Sequence, residues 1–140
     1  MTHVFADSNY WIAVARPNDQ WKTAAQRAKQ ALGNVILVTT DEVLTEFITA
    51  LSKSGPELRT AGVRMARAIL NNPNVKVIPQ SRDGFLRALA RFESRGDKQY
   101  SLTDCRSMDV MRSEGIQDVL TNDHHFEQEG FRVLMKQTDE

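Results

Sequence analysis

The chain has 140 residues, of which 41% are hydrophobic and 26% are charged, a composition typical of one globular domain and not of a disordered segment. Its 18 basic and 18 acidic side chains give a formal net charge of zero, which argues against a protein that binds polyanions through overall charge. We expect no membrane span and no secretory leader, because the apolar runs are short. The single cysteine, Cys105, excludes an intrachain disulfide framework and predicts a cytoplasmic location.

Short apolar runs alternate with helical patterns along the whole chain. The apolar runs predict strands at residues 4–6, 35–38, 75–78, 118–121 and 131–134. The intervening segments predict helices that begin near residue 10 and then cover residues 21–32, 41–53, 58–70, 81–95 and 100–115, with a short turn or helix at 123–130. This order predicts an α/β fold with a mostly parallel sheet of four or five strands and helices on both faces. We expect one domain over residues 1–136 and a short tail over 137–140.

Two acids follow predicted strands directly. Asp7 comes after the first strand, and Asp123 comes after the fourth. Because the carboxyl ends of parallel strands form the ligand-binding edge of such a sheet, we expect both acids at that edge. The simpler interpretations remain open, since Asp7 is also a favoured helix cap and Asn122-Asp123 is also typical of a turn.

Two further acids lie on helices that follow strands. Glu46 lies at the border of an apolar stripe, whereas Glu42 lies nearly opposite that stripe and is expected to be solvated. Asp104 lies within the apolar stripe of its helix, and Asp109 is turned about 140° away from it and is not expected to join the same site. The alternatives are a partly exposed surface role for Glu46 and a capping box with Ser101 for Asp104.

These acids make a stronger case together than singly. A cluster of carboxylates with few nitrogen or sulfur ligands suits a hard cation, Mg²⁺ or Mn²⁺. Without the cation, the like charges are expected to raise the carboxylate pKa values. His124 and His125 are interpreted as surface or supporting side chains, because no zinc-type spacing surrounds them.

Four stretches together resemble the PIN-domain ribonucleases, a family that includes the VapC-type toxins of bacterial toxin–antitoxin pairs. They are VFADSNYWIA, TTDEVLTEFITAL, GDKQYSLTDCRSMDVM and DVLTNDHHFEQEGFRVL, and they cover nearly the whole chain in the family's order. The resemblance implies a PIN-like three-layer α/β/α fold and a metal-dependent endoribonuclease. It implies hydrolysis that uses one or two Mg²⁺ or Mn²⁺ ions and leaves a 5′-phosphate and a 3′-hydroxyl.

The resemblance also implies roles for individual residues. Four acids match the catalytic and metal-binding quartet of the family: Asp7, Glu46, Asp104 and Asp123. Four polar residues are expected to support them: Ser8, Asn9, Thr121 and Asn122. The resemblance leaves open whether Asn122 or Asp123 takes the fourth place. It also implies a homodimer and, for a toxin, an antitoxin whose Arg or Lys enters the acidic groove.

One predicted helix carries a basic stripe, and two other functions are compatible with the predicted fold. Arg87, Arg91 and Arg95 recur at every fourth residue and share one helical face, which is either a solvated face or a surface that holds the RNA backbone. A non-catalytic binding module with the same fold is one alternative function. A phosphatase or phosphotransfer domain is the other, and the haloacid-dehalogenase type requires a second acid at the place of Asn9.

Overall fold

The computed structural model describes residues 1–137, in which strands and helices alternate along the chain. The strands are β1 (His3–Ala6), β2 (Ile36–Thr40), β3 (Val75–Ile78), β4 (Asp118–Leu120) and β5 (Arg132–Val133). The helices are α1 (Ser8–Ala15), α2 (Lys22–Leu32), α3 (Asp41–Ser52), α4 (Pro56–Asn71), α5 (Arg82–Ser94), α6 (Leu102–Glu114) and α7 (His125–Gln128). In this part of the chain, no helix combines the length and apolar character needed to cross a membrane. Residues 138–140 of the expected tail lie outside the described residues.

The strands form one sheet in the order β3-β2-β1-β4-β5, and every pairing is parallel. The predicted parallel sheet and the three-layer α/β/α fold are therefore confirmed. The central strands are the most deeply buried, with Val4, Phe5 and Ala6 of β1 fully inaccessible. Their apolar side chains read as continuous runs because both faces of the sheet are covered by helices.

Strand β2 continues two residues beyond its predicted end. Thr39 and Thr40 pair with β3 and are fully buried. Their hydroxyls find partners there, since Thr39 Oγ1 donates to the carbonyl of Ala6 at 2.9 Å and Thr40 Oγ1 accepts from the N–H of Val43 at 3.0 Å. Buried hydroxyls need such partners. Thr40 therefore ends the strand and caps α3.

The strand order reverses between β1 and β4. Strands β2 and β3 lie on one side of β1, and β4 and β5 lie on the other. In open parallel sheets, the crevice at such a reversal is the usual ligand-binding position. Asp7 follows β1 directly, and its N–H donates to the carbonyl of Leu120 at the end of β4, at 3.1 Å. The topology therefore brings the residues after β1 and β4 side by side.

A buried arginine on α6 forms an ion pair with a glutamate on α3. Arg106 Nε donates to Glu42 Oε2 at 3.0 Å, and Arg106 Nη2 donates to the carbonyl of Pro79 at 3.2 Å. The predicted solvation of Glu42 is wrong, because α6 brings this guanidinium against it and leaves its side chain only 22% exposed. The pair also holds the connection between β3 and α5 near the carboxyl edge of the sheet.

Gly84→Ala is expected to destabilise the protein by about 1–3 kcal/mol, because overpacking forces packed groups to move. A Cβ at Gly84 would lie 2.6 Å from Cζ of Arg106, whose guanidinium cannot withdraw without leaving Glu42. Gly96→Ala is the control, since a Cβ there would meet only the carbonyl oxygen of Glu93, at 3.9 Å. Urea denaturation of the two variants measures the difference, and equal midpoints would contradict the expectation.

Candidate active site

Asp7 is buried at the crevice between β1 and β4, with 4% of its surface exposed. Its Oδ1 accepts from the N–H of Ser8 at 2.9 Å, which makes it the N-cap of α1. Its Oδ2 accepts from the hydroxyl of Thr121 at 2.9 Å and from Asn9 Nδ2 at 3.5 Å. The capping role and the position at the ligand-binding edge therefore coexist in one side chain.

The electrostatics of Asp7 are dominated by its surroundings. Its pKa is raised to about 7, chiefly by burial and also by the nearby carboxylates of Asp104 and Glu46, against the hydrogen bonds from Ser8 and Thr121, which lower it. Desolvation and like charges both disfavour the ionised form of an acid. Asp7 is thus an acid held near other acids, as the sequence predicts for a cation site.

Asp104 lies in the first turn of α6 and belongs to a complete capping box. Its Oδ2 accepts from the N–H of Ser101 at 3.0 Å, and Ser101 Oγ accepts from the N–H of Asp104 at 2.9 Å. Burial raises the pKa of Asp104, and the charge of Asp123 adds to the effect. The predicted capping box is confirmed, and it orients the carboxylate while leaving Oδ1 for another partner.

Glu46 reaches the same place from α3. Its Oε1 accepts from the hydroxyl of Ser8 at 3.0 Å, so the residue after Asp7 contacts a second acid. Burial raises the pKa of Glu46, and the charge of Asp104 raises it further, while hydrogen bonds from Ser8 and Thr103 lower it. The sequence did not single out Thr103, because a threonine in the first turn of a helix carries no distinctive signal.

Asp123 lies close to Asp104, and His125 lies close to both. One potential ligand atom from each of the three residues lies within 4.8 Å of the others. Asp123 Oδ1 accepts from the N–H of His125 at 2.9 Å and lies 3.0 Å from its Nδ1. His124 is exposed, as predicted for a surface histidine. His125 is bonded to Asp123, a position that agrees with the supporting role interpreted from the sequence.

Polar side chains and backbone groups next to the acids form a network of hydrogen bonds that fixes their positions. Thr121 Oγ1 accepts from Asn9 Nδ2 at 2.8 Å and from the N–H of Asp123 at 3.1 Å. The N–H of Asn122 donates to Asn9 Oδ1 at 3.2 Å. Asn122 is therefore held by its backbone, and the carboxylate that clusters with Asp104 is that of Asp123.

Thr121→Val is expected to destabilise the protein by about 1–3 kcal/mol, because it leaves buried polar partners unsatisfied. The variant removes the hydroxyl that donates to Asp7 and accepts from Asn9, and it should weaken divalent-metal affinity by about 10–100-fold. Thr60→Val, an exposed change on α4, is the control. Chemical denaturation and metal titration measure the two effects, and a variant that behaves like the control would contradict the supporting role.

The arginine stripe is largely engaged within the protein. Arg91 donates to Asp109 at 2.6 Å and to Glu129 at 3.3 Å, and Arg95 donates to Glu129 at 3.0 Å. The hydrogen bonds from Arg95 lower the pKa of Glu129, against its partial burial. Arg87 pairs with Asp83 on the solvent face, with 67% of its side chain exposed. The three arginines therefore do not present one free cationic face.

The four carboxylates have no guanidinium or ammonium partner within residues 1–137. The ion pairs in this part of the chain leave out Asp7, Glu46 and Asp104, and Asp123 pairs only with His125. Buried charges are normally paired or coordinate a metal. A donor set of carboxylate oxygens with one imidazole fits a divalent cation at this position.

A cavity of about 530 Å³ opens directly beside the acids. Ser8, Glu46 and Thr103 form the end that adjoins the carboxylates. Its other lining residues come mainly from α1 and α3: Ile12, Glu42, Thr45, Thr49, Ala50, Lys53 and Gln80. The site therefore has room for a ligand larger than a metal ion.

Two solved structures with low sequence identity to this chain share its fold. FitAcB from Neisseria gonorrhoeae has a TM-score of 0.67 at 14% identity, over 94% of this chain and 96% of that one. A toxin–antitoxin complex from Klebsiella pneumoniae has a TM-score of 0.61 at 16% identity, over 86% and 87%. At these identities, the likeness concerns the fold alone.

Nearer relatives identify the family. The PIN domain model matches residues 4–131. The 23S rRNA-specific endonuclease VapC20 of Mycobacterium tuberculosis is 29% identical over 131 residues, which is 91% of this chain and 95% of that protein. The crystal structure of VapC20, described as a Sarcin-Ricin loop cleaving toxin, has a TM-score of 0.84 at 27% identity, over 95% of this chain and 99% of that one. The chain therefore belongs to the PIN domain family, and within that family it is similar to the VapC-type ribonucleases.

Proposed function

We propose that the protein is a metal-dependent endoribonuclease whose metal ligands, for Mg²⁺ or Mn²⁺, are Asp7, Glu46, Asp104 and Asp123. The observation that carries the proposal is the buried carboxylate of Asp7, whose pKa is raised to about 7 by burial and by the charges of Asp104 and Glu46. No lysine or arginine of residues 1–137 neutralises these three acids. A divalent cation relieves the repulsion, and clustered carboxylate oxygens are the donors that hard cations prefer.

The residues of this chain divide the work of the proposed reaction. A divalent cation, when bound, lowers the pKa of a water and neutralises charge on the scissile phosphate. Asp7 and Asp104 are the principal ligands, and Glu46 and Asp123 act directly or through water. Ser8 orients Glu46, and Thr121 orients Asp7 through the hydrogen bonds described above. The expected products carry a 5′-phosphate and a 3′-hydroxyl.

We further propose that the protein is the toxin of a type II toxin–antitoxin pair, acting in the cytoplasm. The description of VapC20 as a toxin supports this role. A cognate antitoxin would place an Arg or Lys among the carboxylates, where the acids lack such a partner within residues 1–137.

We also propose that the protein forms a homodimer. Helix α4 is a candidate contact surface, because Val63 and Leu70 on it are 40% and 55% exposed.

The arginine stripe is proposed to contact RNA, and the ion pairs of its three members indicate which of them is most available. Arg91 and Arg95 are bonded to Glu129, so either would have to exchange that partner for a phosphate. Arg87 is the most exposed of the three side chains and is held by one solvent-exposed aspartate. Such surface pairs are weak, and Arg87 is therefore the member most available to RNA.

Cleavage assays on labelled RNAs, including a sarcin–ricin-loop RNA, test the proposal. The wild type should cleave with Mg²⁺ or Mn²⁺ and not with EDTA, and Asp104→Asn should reduce the rate by on the order of 10²–10³-fold. Glu93→Gln removes an exposed acid outside the site and should keep full activity. Absence of cleavage would overturn the proposal and favour the non-catalytic binding module, and cleavage that EDTA leaves unchanged would overturn the proposed metal dependence.

A further inference from the structure

The acidic and basic residues that line the cavity beside the carboxylates lie at opposite ends of it. Glu46, one of the candidate metal ligands, lines one end together with Glu42, whose charge is paired with Arg106, and Lys53 lines the other end. Ile12 and Ala50 supply an apolar part of the lining between them. A cavity with acids at one end and a cation at the other is not a general anion site. It suits a ligand that carries separate charged groups and an apolar portion.

The spacing follows from the geometry of α3. Positions 46 and 53 are about two helical turns apart, which is about 10 Å along the axis, and they share one face. Thr49 and Ala50 lie between them on that face and line the same cavity. Lys53 therefore reaches a point well displaced from the carboxylates, along a straight path that the helix defines.

The basic end of this path is available to a ligand. Lys53 is exposed and has no ion-pair partner within residues 1–137, whereas Lys76 pairs with Glu114 and Lys98 with Asp97. A second cation lies nearby, since Arg16 Nη2 donates to the carbonyl of Ala50 at 3.4 Å. The cationic end is thus formed by Lys53, the residue after α3, with Arg16, the residue after α1, close to it.

We propose that this cavity is an RNA subsite in which Lys53 binds a backbone phosphate that flanks the scissile one, while the intervening nucleotide lies over Ile12 and Ala50. The inference rests on the proposed function, because the scissile phosphate is placed at the carboxylates. RNA fits the observed pattern, since it carries phosphates at regular intervals joined by partly apolar nucleosides. Thr45, Thr49 and Gln80, which line the walls, offer hydrogen-bonding groups to that nucleotide.

Binding of a fluorescein-labelled single-stranded RNA, measured by anisotropy in Ca²⁺ at several salt concentrations, tests the subsite without requiring cleavage. Lys53→Gln should weaken binding roughly 3–10-fold at low salt and reduce the salt slope by about 0.7, the value for one phosphate contact on a single strand. Lys29→Gln is the matched control. It removes the same charge from the end of α2, near Met1, Gly33 and Asn34 at the opposite edge of the sheet.

A phosphate scan adds a signature that a structural role of Lys53 would not produce. Neutral methylphosphonates, placed at one phosphate at a time, should weaken wild-type binding at one flanking position and leave Lys53→Gln binding unchanged there. If Lys53→Gln binds RNA like Lys29→Gln, the subsite is wrong, even if the wild type cleaves RNA. If binding depends on Lys53 but no RNA is cleaved, the subsite stands and the proposed nuclease function fails.

Discussion

Asp7→Asn is expected to abolish RNA cleavage and, at pH 8, to stabilise the metal-free protein. The activity loss should be on the order of 10²–10³-fold or more, because the variant removes a principal charge at the reacting phosphate. The gain in stability follows from the raised pKa of Asp7, about 7 in the folded protein against an ordinary value of 3.8. An amide of the same shape does not ionise and therefore avoids the buried negative charge.

The sign of this effect follows from proton linkage. Between pH 4 and pH 7 the folded protein holds a proton on Asp7 that the unfolded chain has released, so the contribution of Asp7 to stability falls as the pH rises through that window. The full linkage for such a pKa difference is about 4 kcal/mol. The amide has one acceptor oxygen and one NH2 group, so it keeps only one of the two hydrogen bonds from Ser8 and Thr121. This loss offsets part of the linkage and leaves a net gain of about 1–3 kcal/mol at pH 8.

Urea denaturation of wild type and Asp7→Asn at pH 5 and pH 8, with EDTA present, measures the prediction. The wild type should lose more stability between the two pH values than the variant does. Asp83→Asn controls for removal of an acid at an exposed position. Equal pH dependence in wild type and Asp7→Asn would contradict the raised pKa, and retained cleavage by the variant would contradict its metal-binding role.

Divalent cations are expected to stabilise the wild type strongly. A ligand at 100 times its dissociation constant adds about 2.7 kcal/mol to the free energy of unfolding, which raises the Tm by roughly 5–10 °C for a chain of this size. The effect should be larger at pH 8 than at pH 6, because the cation and a proton compete for Asp7. EDTA should reverse it.

Thermal unfolding with Mg²⁺ or Mn²⁺ at both pH values measures this second prediction. Glu46→Gln and Asp104→Asn should each remove most of the shift, since each deletes one charge of the cluster. Asp83→Asn should retain the shift in full. A Tm increase of the same size in all variants would place the cation elsewhere on the protein.

Much of the fold could be predicted because its signals are local. The apolar runs of β1 and β4 and the capping threonine of α3 each act through neighbouring residues, so pattern and cap chemistry were sufficient. The carboxyl-edge position of Asp7 also followed from strand direction alone. The capping box of Asp104 was equally local and was confirmed.

The long-range partners could not be predicted from the pattern. Glu42 has a solvent-facing position on its own helix, and only the packing of α6 brings Arg106 against it. The arginine stripe looked free because its partner Glu129 lies 34 residues after Arg95 in the chain. His125 joins the acids through the turn before α7. In each case tertiary packing, and not local periodicity, decides what the side chain contacts.

Anomalous diffraction from crystals soaked in Mn²⁺ is the most direct test of the candidate metal site. The expected result is a manganese peak in contact with Asp7 and Asp104, with Glu46 and Asp123 bound directly or through water. The peak should be absent from crystals of Asp104→Asn. A protein that cleaves RNA but shows no peak at these carboxylates, or shows one at another place, would contradict the central claim that they form the metal site of a ribonuclease.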